Sequence, residues 1–351
     1  MGGPVISTVE VRAAHRFDVG ALERYMKAHV DGFTPPLTVR QFEGGQSNPT
    51  YYLVAGGREY VVRRKPPGKL LPSAHAVDRE YRVITALAAT DVPVPRTYAY
   101  CADESVLGTP FYVMECVHGR IFRDPLLPGG GATERAAIFD SLNTVLARLH
   151  TVDWRALGLA DFGKPGNYFA RQIHRWTSQY RASETETIPE MERLVAWLPA
   201  HIPPGDETTI VHGDYRPGNV IVHPTEPRVV AVLDWELSTL GHPLADLAYT
   251  CVPYYLPDAD GFRGRDLAAL GIPSEAQFIA AYCRRTGRAA IPDWDFYVGF
   301  SFFRLAAISQ GIMGRVLAGT ASDPNARERG ARARPLAVLA WAIIAPRSKS
   351  P

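Results

Sequence analysis

At 351 residues and 46% hydrophobic content, the chain can bury more apolar surface than a single compact core usually organises, so two lobes are expected. Lys plus Arg number 38 against 36 Asp plus Glu, a formal +2; that balance excludes the basic bias of a nucleic-acid binder and any acidic tail, leaving a small molecule as the expected partner. Cys101, Cys116, Cys251 and Cys283 stand far apart with no CxxC pair, which argues against a zinc site and a disulfide framework and fits a reducing compartment.

The N-terminal Met1-Gly2-Gly3-Pro4 lacks a basic region followed by an apolar core, so no signal peptide is read there and a cytoplasmic location is expected. Leu37 to Phe42, Tyr51 to Ala55 and Glu59 to Lys65 read as strands, the last two joined by a Gly56-Gly57 hairpin turn. Between the first two strands lies Glu43-Gly44-Gly45-Gln46-Ser47-Asn48. Its glycines would let backbone N–H groups approach phosphate oxygens with no Cβ in the way, although a diglycine between strands also serves as a plain turn. Strand alternation puts Val61, Arg63 and Lys65 on one face and Tyr60, Val62 and Arg64 on the other. For Arg64 a solvated basic edge is expected.

Ala74 to Ala89 carries apolar residues at helical spacing, with Glu80 on the same face as Ile84 and Leu87, so this carboxylate is expected to turn inward and pair with Arg63. Thr97 to Cys101 and Phe111 to Glu115 read as the last strands of a five-stranded, antiparallel first lobe. A boundary falls near Cys116 to Gly119, giving residues 1–117 as the N-terminal lobe and 118–351 as the C-terminal lobe. From there helical patterns dominate: Thr133 to His150, Asn167 to Ala182, Pro189 to Leu198, Ser274 to Thr286 and Trp294 to Leu317. Short strands interrupt them near Thr208 to Val211, Val220 to Val222 and Val229 to Leu233. Pro335 to Ala345, the longest apolar run, is too short to span a bilayer and reads as a core helix, so no membrane partner is expected.

The densest chemistry lies in His212-Gly213-Asp214-Tyr215-Arg216-Pro217-Gly218-Asn219, followed by Val232-Leu233-Asp234-Trp235-Glu236. A strand enters the first segment, Pro217 and Gly218 turn it, and two β-rich runs return Asp234 beside Asn219. An amide and a carboxylate oxygen suit the hard Mg2+ ion, which keeps its other positions for water and substrate phosphates. Asp214 is then available to act on a hydroxyl.

HGDxxxxN followed by a hydrophobic strand and Asp resembles the aminoglycoside phosphotransferase family, relatives of the protein kinases, whose own loop reads HRDxxxxN. With the Arg-rich strand, the Pro-Pro-Gly after it and Leu233-Asp234-Trp235-Glu236, the chain looks most like the phosphotransferase domains that occur beside acyl-CoA dehydrogenases. The resemblance covers about Gln41 to Leu339. It implies an α+β, bilobal protein-kinase-like fold, with a small antiparallel sheet in the N-lobe and a mostly helical C-lobe, and an ATP- and Mg2+-dependent kinase of small molecules. Asp214 would orient the acceptor hydroxyl and accept its proton, His212 would brace the loop, and Asn219 and Asp234 would hold the metal. Gly44, Gly45, Ser47 and Asn48 would cover the phosphates. Kinases carry Val-Ala-Ile-Lys on the strand that Val61 and Arg63 occupy, so Arg63 replaces the phosphate-clamping lysine, with Lys65 as the other candidate, and Glu80 pairs with it. Glu115 C=O and Val117 N–H would take adenine. Asp246 matches the family's loop-bracing Asp.

Two other functions stay open at this level. A nucleotide-binding pseudokinase module would explain the missing lysine and the Trp235-Glu236 after the metal Asp, whereas retention of Asp214, Asn219 and Asp234 opposes it. An aminoglycoside kinase is the other. From Gly261 to Pro351 there are 13 Lys or Arg against 6 Asp or Glu, a formal +7, which would repel a polycationic antibiotic and attract an anionic acceptor such as a hydroxyacyl-CoA. Arg304, Arg315, Arg327, Arg329, Arg332 and Arg334 are the expected phosphate anchors, with Trp294, Phe302 and Phe303 as acyl or stacking contacts; solvated helix faces and core aromatics are the plain alternative. Donor choice between ATP and GTP, and the oligomeric state, stay open.

Overall fold

The structure is a computed structural model that describes residues 7–43, 48–67, 76–257, 261–321 and 323–346. In chain order the first part comprises β1 (Thr8–Val9), α1 (Val19–His29), β2 (Thr38–Phe42), β3 (Thr50–Ala55), β4 (Arg58–Arg64), α2 (Val77–Leu87), β5 (Thr97–Cys101), α3 (Glu104–Leu107), β6 (Phe111–Glu115) and α4 (Ala132–Thr151). There follow α5 (Tyr168–Ala182), α6 (Pro189–Ala200), β7 (Thr209–Val211), β8 (Val220–Val222), β9 (Val229–Val232), β10 (Thr239–Gly241), α7 (Pro243–Thr250), α8 (Leu267–Leu270), α9 (Glu275–Thr286), α10 (Trp294–Leu317), α11 (Ala326–Ala331) and α12 (Ala333–Ile344). An antiparallel sheet thus precedes a mostly helical second half, the α+β kinase-like layout.

Two compact units result. The first holds residues up to Phe162 together with Arg216–Ser238 and Leu270–Ile272, and the second holds Gly163–Tyr215, Thr239–Ala269 and the chain from Pro273.

In the first unit the sheet runs β1-β2-β3-β4-β6-β5, antiparallel throughout. It has six strands where five were expected, because the two-residue β1 adds an edge too short to show a period. Gly56 and Gly57 both take positive φ, 56° and 75°, the backbone that a two-residue hairpin with the right twist demands. One sheet face is closed by α1, whose Leu22 and Met26 pack with Tyr51, Leu53, Tyr60 and Val62. Asp18 starts that helix by accepting from Ala21 N–H at 3.1 Å, and Lys27 and His29 stand in its last turn, both favourable at those ends.

This face corrects the expectation for Arg64. β4 is flanked by β3 and β6 on its two sides, so it is no edge, and Arg64 is buried at 4% exposure. Its Nε donates to Thr109 Oγ1 at 2.8 Å and its guanidinium lies over the Phe17 ring.

In the second unit α10 is the central helix, packed by α5, α6, α7, α11 and α12. It has the length and composition to cross a membrane, but 67% of that window is buried inside the protein, which makes it a core helix. Phe302 and Phe303 are fully buried on it. They are core residues, not acyl contacts. β7 and β10 form a small antiparallel pair. Helix α9 opens with a capping box in which Ser274 and Gln277 satisfy each other's backbone N–H groups.

Candidate active site

In the first unit, strand alternation along β4 brings Val61 and Arg63 to a cleft of about 980 Å3, whereas Lys65 is not among the lining residues. Arg63 there meets three carboxylates. Its Nε lies 2.8 Å from Glu80 Oε2, and its Nη2 lies 2.7 Å from Asp234 Oδ1 and 3.8 Å from Glu236 Oε2. Glu80 reaches it because α2 turns the face carrying Val83, Ile84 and Leu87 inward, and the second oxygen, Oε1, accepts from Trp235 N–H at 3.2 Å. Burial pushes Glu80 up to about 7; Arg63 opposes the shift, and Asp234 and Glu236 add to it.

The hairpin of β8 and β9 pairs Val220 with Val232, and Leu233 N–H donates to Asn219 C=O at 2.8 Å. Asn219, at the end of a single 3-10 turn from Pro217, therefore stands beside the segment that carries Asp234. Asp234 adopts a left-handed backbone, φ 64°, uncommon for a residue with a Cβ and frequent at functional sites. Three carboxylates around one guanidinium leave a surplus of negative charge, and an amide oxygen beside a carboxylate is a hard donor set. Both features fit Mg2+.

Of the residues expected to cover phosphates, Gly44, Gly45 and Ser47 lie outside the described residues. Asn48 is buried, and neither its amide nitrogen nor its oxygen has a hydrogen-bond partner among the described residues. Glu115 and Val117 both line the cleft. The Glu115 side chain accepts from Arg96 N–H at 3.1 Å and ties the start of β5 to the end of β6.

In the second unit, β7 delivers His212-Gly213-Asp214-Tyr215, and α7 grips that segment with one face. Asp246, Tyr249 and Thr250 stand at i, i+3 and i+4. The Asp246 carboxylate accepts from His212 N–H at 2.5 Å and Gly213 N–H at 2.8 Å. Thr250 donates to Tyr215 C=O at 3.1 Å, and the Tyr249 hydroxyl donates to Asp214 Oδ1 at 2.7 Å. His212 is fully buried, and its Nδ1 accepts from Asp214 N–H at 3.2 Å. Gly213 has φ 85°, a conformation that costs glycine nothing and would strain any other residue.

Arg304 serves here too. Its Nη2 donates to Gly213 C=O at 2.8 Å, and its guanidinium stacks over Tyr249 at 5.2 Å and Trp176 at 5.6 Å from the ring centroids. It braces the loop through that bond. Arg329 and Arg334 pair with Asp323 and Glu186, and Trp294 Nε1 donates to Glu275. Sequence reasoning missed Tyr249, although its helical offset from Asp246 was visible, and it missed Glu236 as a further carboxylate beside Arg63.

A phosphotransferase enzyme family model matches residues 38–297. A crystal structure from Ralstonia eutropha, provisionally assigned as an aminoglycoside phosphotransferase, is 55% identical with a TM-score of 0.88, covering 94% of this chain and 99% of that one. Mouse acyl-CoA dehydrogenase family member 10 is 49% identical over 342 residues, 96% of this chain; the chain spans 32% of that relative's length. Aminoglycoside phosphotransferase APH(4)-Ia, solved with AMP-PNP and hygromycin B, shares the fold at 17% identity and a TM-score of 0.59, covering 94% of this chain and 100% of that one. With three quarters of its length matched by one family model and a near full-length structural counterpart, the chain belongs to the phosphotransferase enzyme family and is a small-molecule phosphotransferase.

Proposed function

We propose that the protein transfers the γ-phosphoryl group of ATP, with Mg2+, to a hydroxyl of a hydroxyacyl-CoA. The observation that carries the transfer is the Asp214 carboxylate, aimed by the Tyr249 hydroxyl on a loop locked by Asp246 and Arg304. Phosphoryl transfer asks little covalent help of a protein; it asks for positioned charge and a group that orients the attacking hydroxyl. Asp214 takes the second task, with the hydroxyl proton passing to its carboxylate as the oxygen attacks. Arg63 takes part of the first, as a guanidinium that can contact phosphate oxygens from its place in the cleft. Asn219 and Asp234 would hold Mg2+, which supplies charge neutralisation for the phosphates. Glu115 and Val117, at the end of β6, would meet the adenine edge through their backbone groups. AMP-PNP in a family relative's complex supports ATP as donor.

The acyl-CoA part of the reading rests on two supports. One is the 49% identity to a relative named for acyl-CoA dehydrogenation; the other is the formal +7 of residues 261–351. Of the anchors expected there, Arg304, Arg329, Arg332 and Arg334 have partners within the protein, and Phe302 and Phe303 are core, so Arg315 and Arg327 remain as candidates. The test is direct: incubate the protein with ATP, Mg2+ and 3- or 4-hydroxyacyl-CoA compounds beside kanamycin-like sugars, and look by mass spectrometry for products heavier by one phosphate. A phosphorylated thioester is expected. Phosphorylation of the sugars alone would restore antibiotic modification.

A further inference from the structure

Where β6 ends, three metal-binding side chains converge that play no part in the transfer described above. The register of β4 against β6 pairs Tyr60 with Glu115, so Glu59 stands opposite Cys116. Cys116 and His118 are two residues apart and reach the same side. As a result one ligand atom from each of Glu59, Cys116 and His118 lies within 4.8 Å of the other two. His118 Nε2 already contacts Glu59 Oε2, and the Tyr52 hydroxyl on β3 donates to the other oxygen, Glu59 Oε1. Such an outer hydrogen bond orients a metal-ligating carboxylate.

We propose that Glu59, Cys116 and His118 form a zinc-binding site at the rim of the cleft. The donor set selects the metal. One thiolate sulfur, one imidazole nitrogen and one carboxylate oxygen suit Zn2+, which takes three protein ligands and leaves a fourth position for water, whereas Mg2+ avoids sulfur. Tetrahedral coordination needs donor atoms about 3.3–3.5 Å apart, within the 4.8 Å that bounds the three ligand atoms here. The charges also balance: the Glu59 carboxylate and a Cys116 thiolate neutralise the ion, and the thiol proton leaves to solvent. Half-exposed His118 gives the ion a path in. Cysteine spacing alone argued against zinc because it looks for CxxC pairs; a mixed set assembled by sheet register has no such trace.

Cobalt(II) provides the probe, since a sulfur ligand gives an intense thiolate-to-metal absorption in the near-ultraviolet and tetrahedral geometry gives strong visible bands. Titration of the full chain should saturate at one equivalent with both features, zinc should abolish them, and excess Mg2+ should leave them unchanged. Cys116→Ser should remove the ultraviolet band, His118→Gln should weaken binding at least tenfold, and Tyr52→Phe should weaken it about tenfold with the spectrum intact. A wild-type spectrum equal to that of aqueous cobalt, or a thiolate band that survives in Cys116→Ser, would overturn the site. The measurement reads no catalysis, so its outcome is separate from that of the phosphotransfer assay.

Discussion

At the level of single residues, the Asp214–Tyr249 pair divides the proposed chemistry into testable parts. Asp214→Asn keeps the shape but removes the group that would accept the hydroxyl proton; turnover should fall about 10²- to 10⁴-fold, the range for a lost general base, while ATP affinity holds. Tyr249→Phe deletes one hydrogen bond to a charged acceptor, worth about 1.5–3 kcal/mol, so kcat should drop by about tenfold or more with KM for ATP unchanged. Equal losses in both constants would place Tyr249 in folding instead. Glu80 yields a pH prediction. Its folded value of about 7, set by burial, lies above the ordinary 4.5. The native state therefore binds more protons than the unfolded chain between those values, and the contribution is complete below about pH 4.5 and lost as pH rises through 7. Denaturation midpoints should show wild-type stability falling across that window by on the order of 1–3 kcal/mol, and Glu80→Gln should flatten the slope.

At the level of elements, β4 shows what a strand pattern conveys and what it withholds. Alternation alone placed Arg63 and Arg64 on opposite faces, and helical spacing alone turned Glu80 inward; the structure pairs Arg63 with Glu80 at 2.8 Å. Alternation cannot say whether the second face is wet, however, because that depends on α1, whose 11-residue pattern went unread, and on β6 pairing as a neighbour. The same limit applies to α10. Its arginines and aromatics were legible as residues, but the neighbours that bury Phe302 and turn Arg304 onto Gly213 come from distant sequence. Arg63 and Arg64 should accordingly fail in different ways. Arg63→Ala should raise KM for ATP and lower the rate, and it should also destabilise by about 3–5 kcal/mol, since Glu80 is left buried without its cation. Arg64→Ala should leave KM unchanged and lower Tm, because it removes a buried bond to Thr109 and the contact with Phe17. Matching effects on KM would mean that the cleft reads both faces of β4.

For the whole molecule, the residues proposed to bind nucleotide and metal fall in the first compact unit, and Asp214 with its supports falls in the second. Binding and transfer are therefore separable by measurement. A ligand that binds the folded state alone stabilises it by RT ln(1 + [L]/Kd), about 2.7 kcal/mol at a hundredfold excess over Kd, which for a protein of this size corresponds to a Tm rise of about 4 °C. MgATP should produce that rise in the wild type. Asp214→Asn should retain it in full, since the substitution alters the acceptor side alone. Asp234→Asn should lose most of it, because a neutral amide replaces the carboxylate proposed to hold Mg2+. Removing Mg2+ with a chelator should shrink the wild-type shift towards that of Asp234→Asn and change the variant little. A full shift in Asp234→Asn, or an unchanged wild-type shift without Mg2+, would remove Asp234 from the metal site and leave its carboxylate as a partner of Arg63 alone.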